Sequence, residues 1–208
     1  RDLAQVGTTR LRCGLDTAPD TVIGLVDAYL THVGSHENGA RDRRVLLSYY
    51  RDSGTLESVA SSLVPPITRE RVRQIIATTL EKDRPVWSAL VESVLMNATT
   101  LIDRGGGIAP LSHCLALLNC EEWHLRLVAA LVTTSQIRVD SSFSALTVLP
   151  SEELKGFVRQ VRGSLEDYLE SGHDWQAVVE ILGDWDVRSP DDVLRSLAQS
   201  ILGVRIDD

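Results

Sequence analysis

ITRERVRQI, Ile67 to Ile75, places three arginines within nine residues of a chain whose formal net charge is −8. Cations crowded at a helix start need a cause, because the helix dipole disfavours them there. Thr68 reads as the N-cap of a helix running from Arg69 to about Lys82, its hydroxyl able to accept from an unpaired first-turn amide. Steps of about 100° per residue put Val72, Ile75, Ile76 and Thr79 on one side. The opposite side presents Glu70, Arg73, Gln74 and Ala77, with Arg69 and Arg71 flanking them. Arginine offers a planar fork to guanine, glutamine pairs with adenine, and glutamate accepts from cytosine. A DNA groove therefore explains this face. A solvated face laced with ion pairs is the alternative.

Upstream, Thr55 can cap LESVASSL, and Pro65 and Pro66 forbid its continuation. Two short helices joined by a tight break make a helix-turn-helix candidate. Before it, RDRRVLLSYYRDSG carries a helix with Val45, Leu46 and Tyr49 inward. GSHENGA, Gly34 to Ala40, reads as a loop. TVIGLVDAYLTHV repeats apolar residues at helical spacing from Val22 to Val33. Downstream, Pro85 allows a break before a further helix in WSALVESVLMNATTLIDR.

The run from RRVLLSYYRDSGTLESVA through ITRERVRQIIATTLEKDR resembles the C-terminal helix-turn-helix, region four, of bacterial RNA polymerase sigma factors. TRERVRQI fits that family's recognition helix at every position, and the likeness covers about residues 19–84. It implies a module that binds a promoter element in the major groove and touches the polymerase. By resemblance, Arg69, Glu70 and Gln74 face bases, Arg73 faces base or phosphate, and Thr55, Leu56 and Glu57 anchor to the DNA backbone. Thr68 and Arg71 are assigned to the backbone with them. The family's Leu-Gly-Val-Thr connection is here the longer Leu63-Val-Pro-Pro-Ile-Thr68. Nothing upstream resembles the sigma regions that melt the promoter or hold the polymerase clamp, so the chain alone is not expected to be a complete sigma factor.

In the second half, GGGIAPL supplies a turn and a short strand, and LSHCLALLN and EEWHLRLVAALVTT read as two helices. QIRVDSSFSALTVLP alternates, turns and becomes β-prone, which predicts a hairpin. Helix, helix, hairpin is the order of a winged helix. Glu121 and Glu122 open the helix in its recognition position and would repel phosphate, so that element is expected to pack on protein. Three further helices are expected after Ser151, in SEELKGFVRQVRGSLEDYLE, WQAVVEILG and PDDVLRSLAQSIL.

His113, Cys114, Cys120 and His124 are zinc-ligand types, but H-C-x5-C-x3-H matches no common site. The set reads as buried small cysteines and surface or satisfied histidines. Ser112 beside His113, and the group His173, Asp174, Asp184 and Asp186, assemble into no catalytic constellation. Asp174, Asp191 and Asp192 are explained as helix-start acids. GGGI lacks the lysine of a phosphate-binding loop. Trp87, Trp123, Trp175 and Trp185 read as core anchors. The reading assigns no enzyme activity, no catalytic residue, no metal and no cofactor.

The 43% hydrophobic content of the 208 residues is that of a globular protein, and no apolar run is long enough to span a membrane. Three cysteines, Cys13, Cys114 and Cys120, cannot all pair within one chain, which fits a reducing cytoplasm. RDLAQVGTTRLRC has no signal-peptide layout and does not begin with Met, so residue 1 is expected to be an interior position of a longer product. Charge is segregated: residues 41–84 hold nine Lys/Arg against six Asp/Glu, and the remainder twelve against twenty-three. Nucleic-acid contact should be local.

The expected fold is mostly α. Residues 1–18 form an extension, 19–84 the sigma-like helix-turn-helix, 85–150 a winged-helix candidate and 151–208 an acidic helical assembly segment. The expected function is sequence-specific binding of double-stranded DNA, as a transcriptional regulator or the targeting module of a larger system. RNA polymerase or another assembly is the candidate protein partner, and a homodimer would supply two half-sites. The competing readings are an interaction module with little DNA affinity and a fragment of a larger enzyme.

Overall fold

The computed structural model describes residues 17–132 and 137–171. Among them the chain is mostly helical, with eight helices and one small sheet. In order these are α1 (Val22–Gly34), α2 (Gly39–Tyr50), α3 (Leu56–Ser62), α4 (Arg69–Val94), α5 (Met96–Arg104), β1 (Ile108–Pro110), α6 (Leu111–Leu118), α7 (Glu122–Ala130), β2 (Arg138–Asp140), β3 (Ala145–Thr147) and α8 (Ser151–Ser171). The expected helices WQAVVEILG and PDDVLRSLAQSIL lie outside the described residues, as do Cys13, His173, Asp174, Trp175, Asp184, Trp185, Asp186, Asp191 and Asp192.

The chain divides into two compact units, Arg1–Met96 with Leu118–Ser135, and Asn97–Leu117 with Gln136–Asp208. In the first, α1 packs on α2, α4 and α7, while α3 packs on α4 and α2. The apolar stripe of α1 supplies Leu25, Val26 and Tyr29, and α2 supplies Val45 and Leu46, all essentially inaccessible to water. Tyr29 meets Trp87 of α4 edge to face, ring centroids 5.2 Å apart. Only Ser35 to Asn38 separate α1 from α2, a tighter link than the expected loop. Gly39 makes that closeness possible: a Cβ there would stand 2.2 Å from the carbonyl oxygen of Val33.

Three expected helix boundaries are corrected. Pro85 does not break the chain, because α4 continues through it to Val94, and the expected domain boundary between residues 84 and 85 falls inside this helix. Trp87, Leu90 and Val91 lie beyond the proline at 0% exposure, and burying them outweighs the lost backbone bond. The helix expected from Trp87 to Arg104 is instead divided at Leu95, whose ψ of 0° departs from helical geometry and whose side chain is buried. The helix beginning at Glu122 stops at Ala130, short of the expected Thr134.

In the second unit the strands lie in the order β1-β3-β2, both pairs antiparallel, with Ile108 opposite Thr147 and Arg138 opposite Thr147 on the other edge. The hairpin expected from the alternation of Ile137 and Val139 is thus present, turning through residues 141–144. Thr147 fixes the sheet end: its hydroxyl donates to the Gly107 carbonyl at 2.8 Å and accepts from the Leu149 amide at 3.0 Å. Gly107 needs no side chain there, since at φ +97° a Cβ would press on Leu149. From α8, Leu154, Phe157, Val158 and Val161 are buried.

Candidate nucleic-acid interface

The candidate interface is built from α3, the connection after it and the first turns of α4. Thr55 starts α3, its hydroxyl accepting from the Ser58 amide at 3.1 Å. Val59 and Ala60 face inward, leaving Glu57 exposed and Leu56 half-buried. Arg44 of α2 donates to the Ser62 carbonyl at 3.3 Å, giving a carbonyl at the end of α3 a cationic partner. The connection contains a cis Val64–Pro65 bond and leaves Val64 89% exposed. Ile67 ties it back by donating its amide to the Ala60 carbonyl at 3.2 Å.

Thr68 then caps α4, accepting from the Arg71 amide at 3.2 Å. The inward face of α4 holds Val72, Ile75, Ile76 and Leu80, all buried, which fixes the helix rotation. Arg69, Glu70, Arg71, Arg73 and Gln74 are consequently exposed together, the arrangement expected from the sequence.

These side chains are not independent. Arg73 grips Glu70 with two donors, Nε to Oε2 at 2.9 Å and Nη2 to Oε1 at 2.7 Å. Gln74 Nε2 donates to the same Oε1 at 3.3 Å, and Arg71 Nη1 donates to Gln74 Oε1 at 3.4 Å. The Arg73 bonds, foremost among several causes, hold the Glu70 carboxyl below its usual range, and Glu70 in turn raises Arg73. With 59% and 57% of the two side chains exposed, water and salt screen the pair, so it can be exchanged for a phosphate or a base edge. Two of the five guanidinium donors are committed to Glu70. The fork belongs to the alternative of a solvated face laced with ion pairs, and the i,i+3 spacing of Glu70 and Arg73, which brings side chains together, could have singled it out.

The other singled-out residues are dispersed. Among the described residues no group of three or more His, Cys, Asp or Glu side chains is arranged to hold a metal. Cys114 is buried, His113 half-buried, and burial together with the Glu121 carboxylate pushes the Cys120 thiol up to about 11. His124 is buried and accepts the Glu121 amide on Nδ1 at 3.3 Å. Trp87 is fully buried, and Trp123 stacks on His124 with centroids 3.7 Å apart. No helix among the described residues is long and apolar enough to cross a membrane.

No protein-family model matches the chain, and neither a curated protein nor a solved structure matches it.

Proposed function

We propose that the chain binds double-stranded DNA sequence-specifically, with α3 and α4 acting as a helix-turn-helix and the first turns of α4 entering the major groove. It would serve as a transcriptional regulator or as the targeting module of a larger system. The observation that carries this reading is the outward set Arg69, Glu70, Arg71, Arg73 and Gln74 on a helix held from behind by Val72, Ile75 and Ile76. Fixed rotation is what groove reading requires, since base contacts depend on which side chains face the edge. Arg69, Glu70, Arg73 and Gln74 are the base-reading candidates, while Thr55, Leu56, Glu57, Thr68 and Arg71 address the backbone.

The later elements follow the sequence order of a winged helix, although α7 belongs to the first compact unit and β1, β2 and β3 to the second. The helix in its recognition position, α7, has no exposed residue, and Glu121 and Glu122 stand at its start. This supports a packing role for α7 and leaves DNA to α4. The engagement of Arg73 by Glu70 favours one second reading, an interaction module that docks on RNA polymerase or another protein with little DNA affinity.

Selection of bound duplexes from a random pool separates the two, followed by titration of the winner with wild type and Arg73→Ala. Sequence reading predicts one enriched motif and an affinity loss of about ten- to a hundredfold in the variant, with specificity relaxed at one position. No enrichment, or equal weakening on every duplex, overturns direct reading, and copurification with polymerase would then support docking.

A further inference from the structure

We propose that the cavity of about 430 Å³ between the α1–α2 turn and the third and fourth turns of α4 binds a small organic cation through its primary ammonium group. Asp83 is the anchor. It occupies the apolar register of α4, where Ile76, Leu80, Trp87 and Leu90 are its buried neighbours along the helix, and it is itself 4% exposed. Its Oδ1 stands 3.7 Å from His32 Nε2, beyond hydrogen-bond reach, and its Oδ2 has no donor among the described residues. A carboxylate this deep needs a compensating positive charge or full hydrogen bonding. Tyr29 Oη and Trp87 Nε1 are also buried without a hydrogen-bond partner among the described residues. Burial first, and then the Asp83 charge, pushes the Tyr29 phenol far above its ordinary value, although the pair does not meet hydrogen-bond geometry.

The cavity wall has the complementary character for a cation. Asp83, Glu37, Asp42 and Lys82 supply its charged groups. Asp42 is engaged by Arg41 at 2.9 Å, so two carboxylates, Glu37 and Asp83, face one ammonium, Lys82. His32 does not make up the deficit at neutral pH, since burial above all holds its imidazole below the ordinary value. The cavity volume lies within the range of small-ligand pockets. An ammonium carries three donors and no acceptor, and the wall offers a carboxylate of Asp83 and the half-buried hydroxyl of Thr79. Asp83 is itself among the residues that line the cavity. A metal ion is the poorer occupant, because among the described residues no three ligating side chains converge.

The site does not depend on the DNA reading and is tested without DNA. The full chain is titrated calorimetrically with propylammonium and, separately, with tetramethylammonium, which has the charge but no N–H donor. Saturable binding of propylammonium alone is expected, weakened at least about tenfold in Asp83→Asn and a few-fold in Glu37→Gln, which alters an exposed side chain. Absence of saturation, equal binding of tetramethylammonium, or wild-type affinity in Asp83→Asn overturns the proposal. That result would leave Asp83 satisfied by water. Should Asp83→Asn fail to fold, Glu37→Gln and Thr79→Val carry the test, and unchanged affinity in both overturns it.

Discussion

His124 sits where one proton decides how a helix begins. Its Nδ1 accepts the Glu121 amide, the reach-back bond of a capping arrangement, and an imidazolium has no lone pair there to accept it. Burial is the largest influence on its pKa and lowers it, with Glu121 and Asp27 opposing. His32 is lowered in the same direction, again by burial first. The unfolded chain takes up these protons near pH 6.5, whereas the folded chain refuses them until lower pH. Stability is therefore complete above about 6.5 and declines as pH falls from there toward the folded values. Urea midpoints measured from about pH 8 to about pH 5 should show this decline. The variant His124→Gln, which keeps an acceptor without a titrating group, should flatten part of it. An unchanged slope in that variant would mean that His124 titrates alike in both states.

At the scale of elements, α4 is the test of local rule against tertiary burial. A proline within a helix interior costs about 3 kcal/mol, yet α4 passes through Pro85, because the turns beyond it bury Trp87, Leu90 and Val91 at about 1.5–3 kcal/mol each. Replacing this exposed proline by alanine restores an amide donor. It also returns about 0.4–1 kcal/mol of freedom to the unfolded chain, so Pro85→Ala should stabilise the fold by about 2 kcal/mol in chemical denaturation. Destabilisation would instead mean that the packing of Trp87 requires the backbone geometry proline imposes. The same competition explains what the sequence discloses. Thr55 and Thr68 were readable as caps because capping is settled within one turn, and the outward arginines because a helical period assigns faces. The continuity at Pro85 and the stop at Leu95 depend on burial against residues far along the chain, which no local pattern carries. The Glu70–Arg73 fork depends on rotamers. Asp83 left only the trace of one acid in an apolar register.

On the scale of the molecule, the unit that carries the candidate interface is discontinuous in sequence, since residues 118–135 return to it after a departure of twenty-one residues at Asn97–Leu117. The returning helix α7 packs against α1, α2 and α4, and it and the residue after it hold Leu125, Val128 and Leu131 at 1% exposure or less. Arg84 of α4 reaches the Ala130 carbonyl at its end, Nε to oxygen at 3.1 Å. At about 1.5–3 kcal/mol for each buried side chain, the segment contributes an amount comparable to the whole stability of an ordinary domain, about 5–15 kcal/mol. A fragment ending at Met96 contains every proposed DNA contact and should nevertheless lose cooperative unfolding and DNA affinity together. Adding a synthetic peptide of residues 118–135 should restore both, with the restored circular dichroism saturating as the peptide is titrated. A fragment that unfolds cooperatively by itself at the wild-type midpoint would overturn this account and make residues up to Met96 an autonomous reader. Rescue of folding without rescue of DNA binding would separate the two requirements, placing the missing contacts outside the helix-turn-helix candidate.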